Sequence, residues 1–188
     1  ILSTSTPVVL AQNASIHDNW TNLADSLGGG ILIYNSTLDL YNSATIVRNQ
    51  THWSHSDSSN SKGGGVYAEC TTVYLHDSSS IAGNFSGMGG GAYLQCMVNG
   101  FGQTHYMTMG GSSTVTNNIA NSGGGIFSST AYDGGPWATS INAIAMYTTA
   151  SITGNTARTR PNWNATCPSL LRIDTGWRGE SPALNRGT

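Results

Sequence analysis

Hydrophobic residues recur along the chain at fixed distances from a repeated asparagine. An Ile or Val followed by Asn three residues later occurs five times, with 30, 35, 34 and 37 residues between successive asparagines. These asparagines are Asn19, Asn49, Asn84, Asn118 and Asn155. Two further apolar positions precede each Ile or Val by six and by eight residues. A spacing of two is the period of a β-strand and not of a helix. The repeat therefore predicts a series of short β-strands.

Glycine triplets follow the first four copies of this repeat, and an apolar-rich segment follows each triplet. The triplets span residues 28–30, 63–65, 89–91 and 123–125. Glycine tolerates a positive φ and the close approach of another backbone, which residues with side chains do not. The triplets therefore predict tight corners between stacked segments.

Strands this short cannot bury a face alone, so successive copies must stack on one another. We predict an all-β fold, a parallel β-helix of about five coils over residues 1–157. Residues 158–188 form an extended C-terminal tail, which acts as a cap or as an inter-subunit strand. An inward Asn can bond the Asn above and below it, so the repeated asparagines predict a ladder. A β-sandwich is the alternative, although it gives no reason for the same columns to recur.

The pairing of a GGG-[IVA] element with an apolar-x-x-Asn element resembles the GGA[IV] and FxxN repeats of polymorphic outer-membrane-type proteins. The resemblance covers residues 5–157. It implies a right-handed parallel β-helix of the pectin-lyase-like group, which includes adhesins, surface proteins and polysaccharide enzymes. The chain departs from the family pattern by using GGG in place of GGA. The resemblance is therefore informative about fold and much less so about function.

The composition is polar but sparsely charged. Charged residues make up 9% of the chain, the formal net charge is −2, and Lys62 is the single lysine. A nucleic-acid-binding surface needs a basic patch, so no nucleic-acid partner is expected. No run of about 18 apolar residues occurs, so no membrane span is predicted. Ser, Thr and Asn supply 63 of the 188 residues, and hydroxyl groups and glycans are expected to hydrate the surface.

Candidate binding residues lie in two insertions of consecutive late copies, residues 97–106 and 130–143. Loops in adjacent copies should lie beside each other, and loops on a rigid scaffold are where binding usually sits. The aromatic and histidine residues of these insertions are Phe101, His105, Tyr106, Tyr132 and Trp137. Exposed rings can stack on sugars or anchor a protein partner. Packing of the same rings against the sheet is the simpler alternative.

No catalytic site is predicted. A polysaccharide lyase or hydrolase needs clustered carboxylates, and no two of the nine acidic residues share a column in adjacent copies. His52, His55 and Asp57 share one polar loop and could ligate a transition metal, but their spacing is loose and no fourth ligand is evident, so a solvated loop is the favoured interpretation. We therefore expect no metal, no cofactor and no enzyme activity.

Cysteines and sequons bear on the compartment. Cys70 and Cys96 each lie five residues after a triplet, so they take equivalent positions on strands about 4.8 Å apart, which allows a disulfide. Two stacked free thiols fit the same positions, and Cys167 is left without an assigned partner. The N-x-[ST] sequons off the ladder are the better glycan candidates: Asn13, Asn35 and Asn164. Those on the ladder, Asn19, Asn49 and Asn84, are less favoured because an inward Asn cannot carry a glycan.

These features predict an extracellular or cell-surface structural glycoprotein, a β-helix protomer that assembles head to tail into a filament or surface coat. The first strand begins near Val8 without a capping helix, and the tail is long enough to reach a neighbouring chain. The chain does not begin with Met, and we interpret it as a mature product or a fragment. The alternatives are a carbohydrate-binding or adhesive module and, third, a pectin-lyase-like polysaccharide enzyme.

Overall fold

The computed structural model describes residues 1–52, 61–97, 104–131, 141–157 and 171–173. These residues form β-strands and turns, and none of them is helical. Their strands stack, layer on layer, into four sheets that we name A to D. The chain is therefore an all-β protein with the stacked parallel strands of a β-solenoid, as the repeat predicts.

Each sheet collects the strands from one side of the solenoid. Sheet A contains β1 (Leu2–Thr4), β4 (Ile31–Tyr34), β7 (Val66–Glu69), β11 (Ala92–Met97), β15 (Ile126–Ala131) and β19 (Leu171–Ile173). Sheet B contains β2 (Val8–Leu10), β5 (Thr37–Leu40), β8 (Thr72–Leu75), β12 (Thr104–Met109) and β16 (Ile141–Met146). Sheet C contains β3 (Ser15–His17), β6 (Thr45–Val47), β9 (Ser80–Ala82), β13 (Thr114–Thr116) and β17 (Ser151–Thr153). Sheet D contains β10 (Phe85–Met88), β14 (Ile119–Ser122) and β18 (Thr156–Ala157).

One turn of the chain passes through sheets A, B and C in that order, and the strands of one turn are named a layer here. Layer 1 holds β1–β3, layer 2 holds β4–β6, layer 3 holds β7–β10, layer 4 holds β11–β14 and layer 5 holds β15–β18. The five coils that the repeat predicts correspond to these five layers. Going from layer 1 to layer 5, the described chain makes about four full turns. The register follows the predicted columns, since Ile46 pairs with Ile16 below it and with Ile81 above it.

The core is made of aliphatic side chains that point inward from sheets A, B and C. In sheet B, Val73 pairs with Leu38 of layer 2 and with Met107 of layer 4, and all three side chains are fully buried. The apolar positions six and eight residues before each Ile or Val therefore form the inner face of this sheet. Burial of these repeated columns supplies the main driving force for stacking.

Residues with positive φ make the corners of the solenoid. Between sheets B and C, five stacked residues have φ values of 55° to 65°: Gln12, Asn42, Asp77, Gly111 and Thr148. The first glycine of each triplet has a φ of 61° to 66° where the chain enters sheet A. A side chain in this region costs about 1–2 kcal/mol, and Asn and Asp tolerate it best after Gly. Each of these corners explains why a residue with positive φ recurs at the same position in successive layers.

Several predicted boundaries are wrong. The insertions assigned to residues 97–106 and 130–143 are shorter, because β11, β12, β15 and β16 each extend to six residues and pair between layers 4 and 5. Extended chain leading into and out of neighbouring insertions gains backbone hydrogen bonds by pairing.

Sheet D was not predicted at all. In the tail, β19 pairs antiparallel with β15, so this segment caps sheet A of its own chain.

Candidate functional site

The five repeated asparagines form one hydrogen-bonded column along the solenoid. Consecutive side chains are joined by Nδ2–Oδ1 hydrogen bonds of 2.8 to 3.1 Å. Asn84 Oδ1 also accepts the backbone N–H of Asn49 at 2.9 Å, and Asn84 Nδ2 also donates to Ile46 O at 3.0 Å. Asn84 is fully buried, whereas Asn19 in layer 1 is exposed. A buried amide with this many partners stabilises the stack instead of destabilising it.

The third glycine of each triplet packs against this column. A Cβ at Gly65 would lie 2.6 Å from Gly91 O and 2.9 Å from Asn84 Nδ2. A Cβ cannot approach either atom so closely without displacing the next layer. The triplet and the asparagine recur together because the third glycine of each triplet leaves room for the asparagine that follows it in the same layer.

A disulfide ties layer 3 to layer 4. Cys70 and Cys96 are bonded, with their Cα atoms 4.6 Å apart. The preceding residues, Glu69 and Gln95, pair in register, which gives the two cysteines equivalent positions in adjacent turns. The disulfide expected from the spacing is therefore confirmed.

Only some of the residues predicted to bind a ligand or to be modified lie within the described ranges. Five of these residues lie outside the described ranges: Phe101, Tyr132, Trp137, Asn164 and Cys167. The backbone of His105 and Tyr106 belongs to β12 and pairs with β16. These two residues therefore lie in sheet B and not in a loop, and their role in binding stays a prediction.

The sequons within the described ranges differ in access. Asn13 lies in the turn between β2 and β3, Asn35 lies between β4 and β5, and both are exposed. Asn49 and Asn84 are fully buried, and both Nδ2 hydrogens of each are donated. Asn19 is more exposed than an inward ladder position would be, because the described chain has no layer in front of layer 1.

Histidine and acidic side chains do not gather into a metal site within the described ranges, where no group of three or more potential ligands occurs. His52 Nδ1 lies 3.3 Å from Asn22 Oδ1. His55 and Asp57, from the same predicted loop, lie outside those ranges.

An exposed ion pair joins layers 1 and 2. Arg48 Nε and Nη2 donate to the two carboxylate oxygens of Asp18, each at 2.7 Å, and His17 Nδ1 lies 2.8 Å from Asp18 Oδ2. The hydrogen bonds from Arg48, and then the one with His17, hold the pKa of the Asp18 carboxyl well below its usual range. Since the Arg48 and Asp18 side chains are 60% and 52% exposed, solvent screens the pair and its contribution to stability is small.

A stacked aromatic column covers the outer face of sheet A. Tyr67, Tyr93 and Phe127 pair in register, with ring centroids 5.5 and 5.1 Å apart and nearly parallel planes. All three are closed to solvent, and Lys62 Nζ lies 5.0 Å from the centre of the Tyr93 ring. Burial, followed by a 2.8 Å hydrogen bond that Tyr67 donates to Glu69, raises the pKa of Tyr67. This column is part of the packing and is not accessible to a ligand.

A second row of side chains, on the outer face of sheet B, is open to solvent. Equivalent backbone hydrogen bonds of 2.8 to 2.9 Å place Tyr41, His76, Gly110 and Tyr147 at one position of layers 2 to 5. We name these four residues the sheet B row. Tyr41 stacks on His76 with ring centroids 4.3 Å apart and planes within 5°. Tyr41 is 37% exposed and Tyr147 is 60% exposed.

Polar groups flank the sheet B row. Asp39 pairs in register with Tyr74, and Asp39 Oδ1 lies 3.8 Å from His76 Nε2, which is too long for a hydrogen bond. His76 Nε2 is buried and has no hydrogen-bond partner among the described residues. An unpaired buried polar atom is uncommon in a protein, and this one is not exposed for contact with another molecule.

Layer 1 exposes large apolar side chains. Five of the seven large hydrophobic side chains found exposed in the described ranges belong to this end: Ile1, Leu2, Val9, Trp20 and Leu23. The strands β1, β2 and β3 are also edge strands, each paired only with layer 2. Apolar edge strands are templates for pairing with another chain.

The opposite end of the solenoid buries residues whose equivalents in layer 1 are at least partly exposed. Ile152 and Asn155 of layer 5 are 0% and 1% exposed, in contrast to Ile16 and Asn19 at the equivalent positions of layer 1. The pairing of β19 with β15 also occupies the last edge of sheet A. The two ends of the solenoid are therefore different surfaces.

Comparison with protein families, curated proteins and solved structures gives no match to this chain. The assignment to the parallel β-solenoid proteins therefore rests on the strand stacking described above. Among the described residues no helix is long and apolar enough to cross a membrane.

Proposed function

We propose that the chain is an extracellular structural glycoprotein, a β-solenoid rod that self-associates through layer 1. The observation that carries the proposal is the contrast between the two ends: layer 1 exposes large apolar side chains on its edge strands, whereas layer 5 buries the equivalent Ile and Asn and pairs its sheet A edge with β19. A patch of this kind on an otherwise polar molecule favours contact with a second protein surface. A second copy presents the same unpaired strand edges, so it can supply both hydrogen bonds and apolar contact.

The extracellular location is supported by two features. Disulfides such as Cys70–Cys96 form and persist in oxidising compartments and are rare in the cytosol. Asn13 and Asn35 are exposed within N-x-[ST] sequons, so the described surface offers sites for glycans. The resemblance to the surface-protein repeats of the pectin-lyase-like group is consistent with the same location.

The mode of association is constrained by β19. Head-to-tail contact, expected from the uncapped first strand and the long tail, would bring layer 1 against layer 5, where β19 already occupies the edge of sheet A. Among the described residues, the last strands of sheets B, C and D, which are β16, β17 and β18, have no further strand beside them and would remain for a partner. Contact between two layer 1 surfaces meets no such obstacle. A filament or coat would need a second contact in addition to this one.

The test is the mass of the purified chain in solution, measured by sedimentation and light scattering. We expect a concentration-dependent dimer or larger assembly for the wild type and a monomer for Val9→Lys, because a charge on an edge strand blocks pairing. Tyr147→Lys, an equally drastic change at an exposed site of layer 5, should leave association intact. A wild-type chain that stays monomeric up to millimolar concentration would contradict the proposal.

A further inference from the structure

We propose that the sheet B row binds a saccharide ring over Gly110, between His76 and Tyr147. This inference does not depend on self-association. It concerns the flank of the solenoid and not its end.

The row has a gap in its aromatic stack at layer 4. Tyr41 and His76 stack along the solenoid axis in layers 2 and 3, and Tyr147 takes the same position in layer 5. Gly110 lies between them, and a Cβ built there would meet no atom within 4 Å. The space over Gly110 is therefore open, with a ring-bearing residue in the layer on each side.

The dimensions of the gap suit a puckered ring. Strands of neighbouring layers are about 4.8 Å apart, so residues two layers apart are separated by about 9.6 Å. A ring in contact with a ring on each side needs at least about 7–8 Å, since carbon atoms touch at about 3.5–4.0 Å, so the gap is wide enough for one ring. A pyranose ring is thicker than a flat ring because its axial C–H groups project from both faces. Those C–H groups can pack on the negative faces of His76 and Tyr147.

Hydrogen-bonding groups lie beside the gap and match a ligand rich in hydroxyl groups. Thr108, two residues before Gly110, is partly exposed on the same outer face, with Tyr74 at the equivalent position of layer 3. The Asp39 carboxylate, in layer 2, accepts no hydrogen bond from the described residues and is 18% exposed. Its free lone pairs can accept from sugar hydroxyls. A second sugar unit extending towards layer 2 would reach this carboxylate.

The charge around the row favours a neutral ligand over an anionic one. The described basic side chains are engaged elsewhere, Arg48 with Asp18 and Lys62 over the Tyr93 ring. Among the described residues neither of these side chains is available to offset the charge of a phosphate or sulfate group, which the nearby carboxylate of Asp39 would repel. We therefore infer a neutral oligosaccharide.

The experiment titrates the full chain with neutral hexasaccharides of glucose, N-acetylglucosamine, mannose and galactose, followed by calorimetry. We expect saturable binding of at least one of them. Gly110→Tyr, which fills the gap with a side chain, should abolish binding. Tyr147→Ala and His76→Ala should each weaken binding by about two- to tenfold, the effect of losing one stacked ring.

Ala11→Tyr is the matched control. Ala11 is exposed and holds the same row position in layer 1, so the substitution adds an equal ring without entering the gap. This variant should bind as the wild type does, and circular dichroism should show both tyrosine variants folded. If Gly110→Tyr does not fold, the two alanine variants decide the question.

The proposal is wrong if no hexasaccharide binds, or if Gly110→Tyr binds as tightly as the wild type. It is also wrong if Gly110→Tyr changes the oligomeric state and not sugar binding, since the gap would then hold an aromatic side chain of a second copy.

Discussion

Asparagine is suited to a parallel stack because its side-chain amide repeats the hydrogen-bonding pattern of the backbone. Asn84 Nδ2 donates to the next asparagine and to the carbonyl of Ile46, while its Oδ1 accepts from the asparagine before it. Aspartate in the same place would lack the donors, and leucine would lack both functions. A ladder of asparagines therefore supplies hydrogen bonds to backbone N–H and carbonyl groups at a buried corner. An apolar side chain in the same place would leave those groups unpaired.

Asn84→Ala tests the ladder at its middle. The substitution leaves the N–H and Nδ2 of Asn49 and the carbonyl of Ile46 without partners in a buried site. We expect the free energy of unfolding to fall by about 3–5 kcal/mol, since each unsatisfied buried group costs about 1–3 kcal/mol. Urea denaturation followed by circular dichroism measures the change.

Asn19→Ala is the control for this prediction, because Asn19 has the same role at the exposed end of the column. Water can replace its partners, so its loss should cost about 1 kcal/mol or less. An equal decrease in the free energy of unfolding for the two variants would show that burial does not determine how much the ladder stabilises the protein.

At the scale of strands, the sequence predicts what faces the core. The inward columns, such as Leu40, Leu75 and Met109, are constrained in every layer by the same neighbours, so they repeat and are visible by alignment. Outward positions face different surroundings in each layer. The sheet B row therefore shows no common residue, although its members all directly follow an inward apolar position.

The parts of the fold that were missed depend on backbone pairing. β12 and β16 continue beyond the repeat through residues 104–106 and 141–143, whose side-chain types have nothing in common. Backbone hydrogen bonds form whatever the side chains are, so no residue pattern marks them. Sheet D was missed because its strands exist only in layers 3 to 5, whereas Trp20 and Gln50 make single bridges in the earlier layers. The Tyr67, Tyr93 and Phe127 column carried a usable signal, because an aromatic residue stands two positions after each of the last three triplets.

The disulfide between β7 and β11 has a testable effect on stability. It closes a loop of 26 residues, and the chain-entropy treatment gives about 3.5 kcal/mol for a loop of that length. We expect Cys70→Ser combined with Cys96→Ser to lower the free energy of unfolding by about that amount. Denaturation of the wild type with and without reductant measures the same quantity independently.

The reductant also serves as the control for this pair of substitutions, because it should not affect the double variant. If the double variant is as stable as the oxidised wild type, the disulfide does not stabilise the solenoid. The disulfide would then have a role other than stabilisation.

At the scale of the whole molecule, the solenoid is a one-dimensional stack in which each layer is stabilised mainly by its neighbours. Only 9% of the residues are charged, so electrostatic interactions contribute little to holding the layers together. Among the described residues, the inner layers have strand partners on both sides, layer 5 has the additional strand β19 on sheet A and buries its Ile152 and Asn155, and layer 1 has partners on one side only. Stability should therefore vary along the axis and should be lowest at layer 1.

Hydrogen exchange measured by mass spectrometry resolves this variation and tests the proposed contact at the same time. In dilute solution we expect peptides covering β1, β2 and β3 to exchange fastest and peptides from layers 3 and 4, joined by the disulfide, to exchange slowest. A partner on layer 1 would pair those edge strands, so their protection should rise with protein concentration while that of layer 3 stays constant. Val9→Lys should remove the concentration dependence and leave the gradient.

Uniform exchange along the axis would argue against independent layers. A gradient that does not respond to concentration would instead argue against association through layer 1, because pairing of the edge strands cannot occur without slowing their exchange.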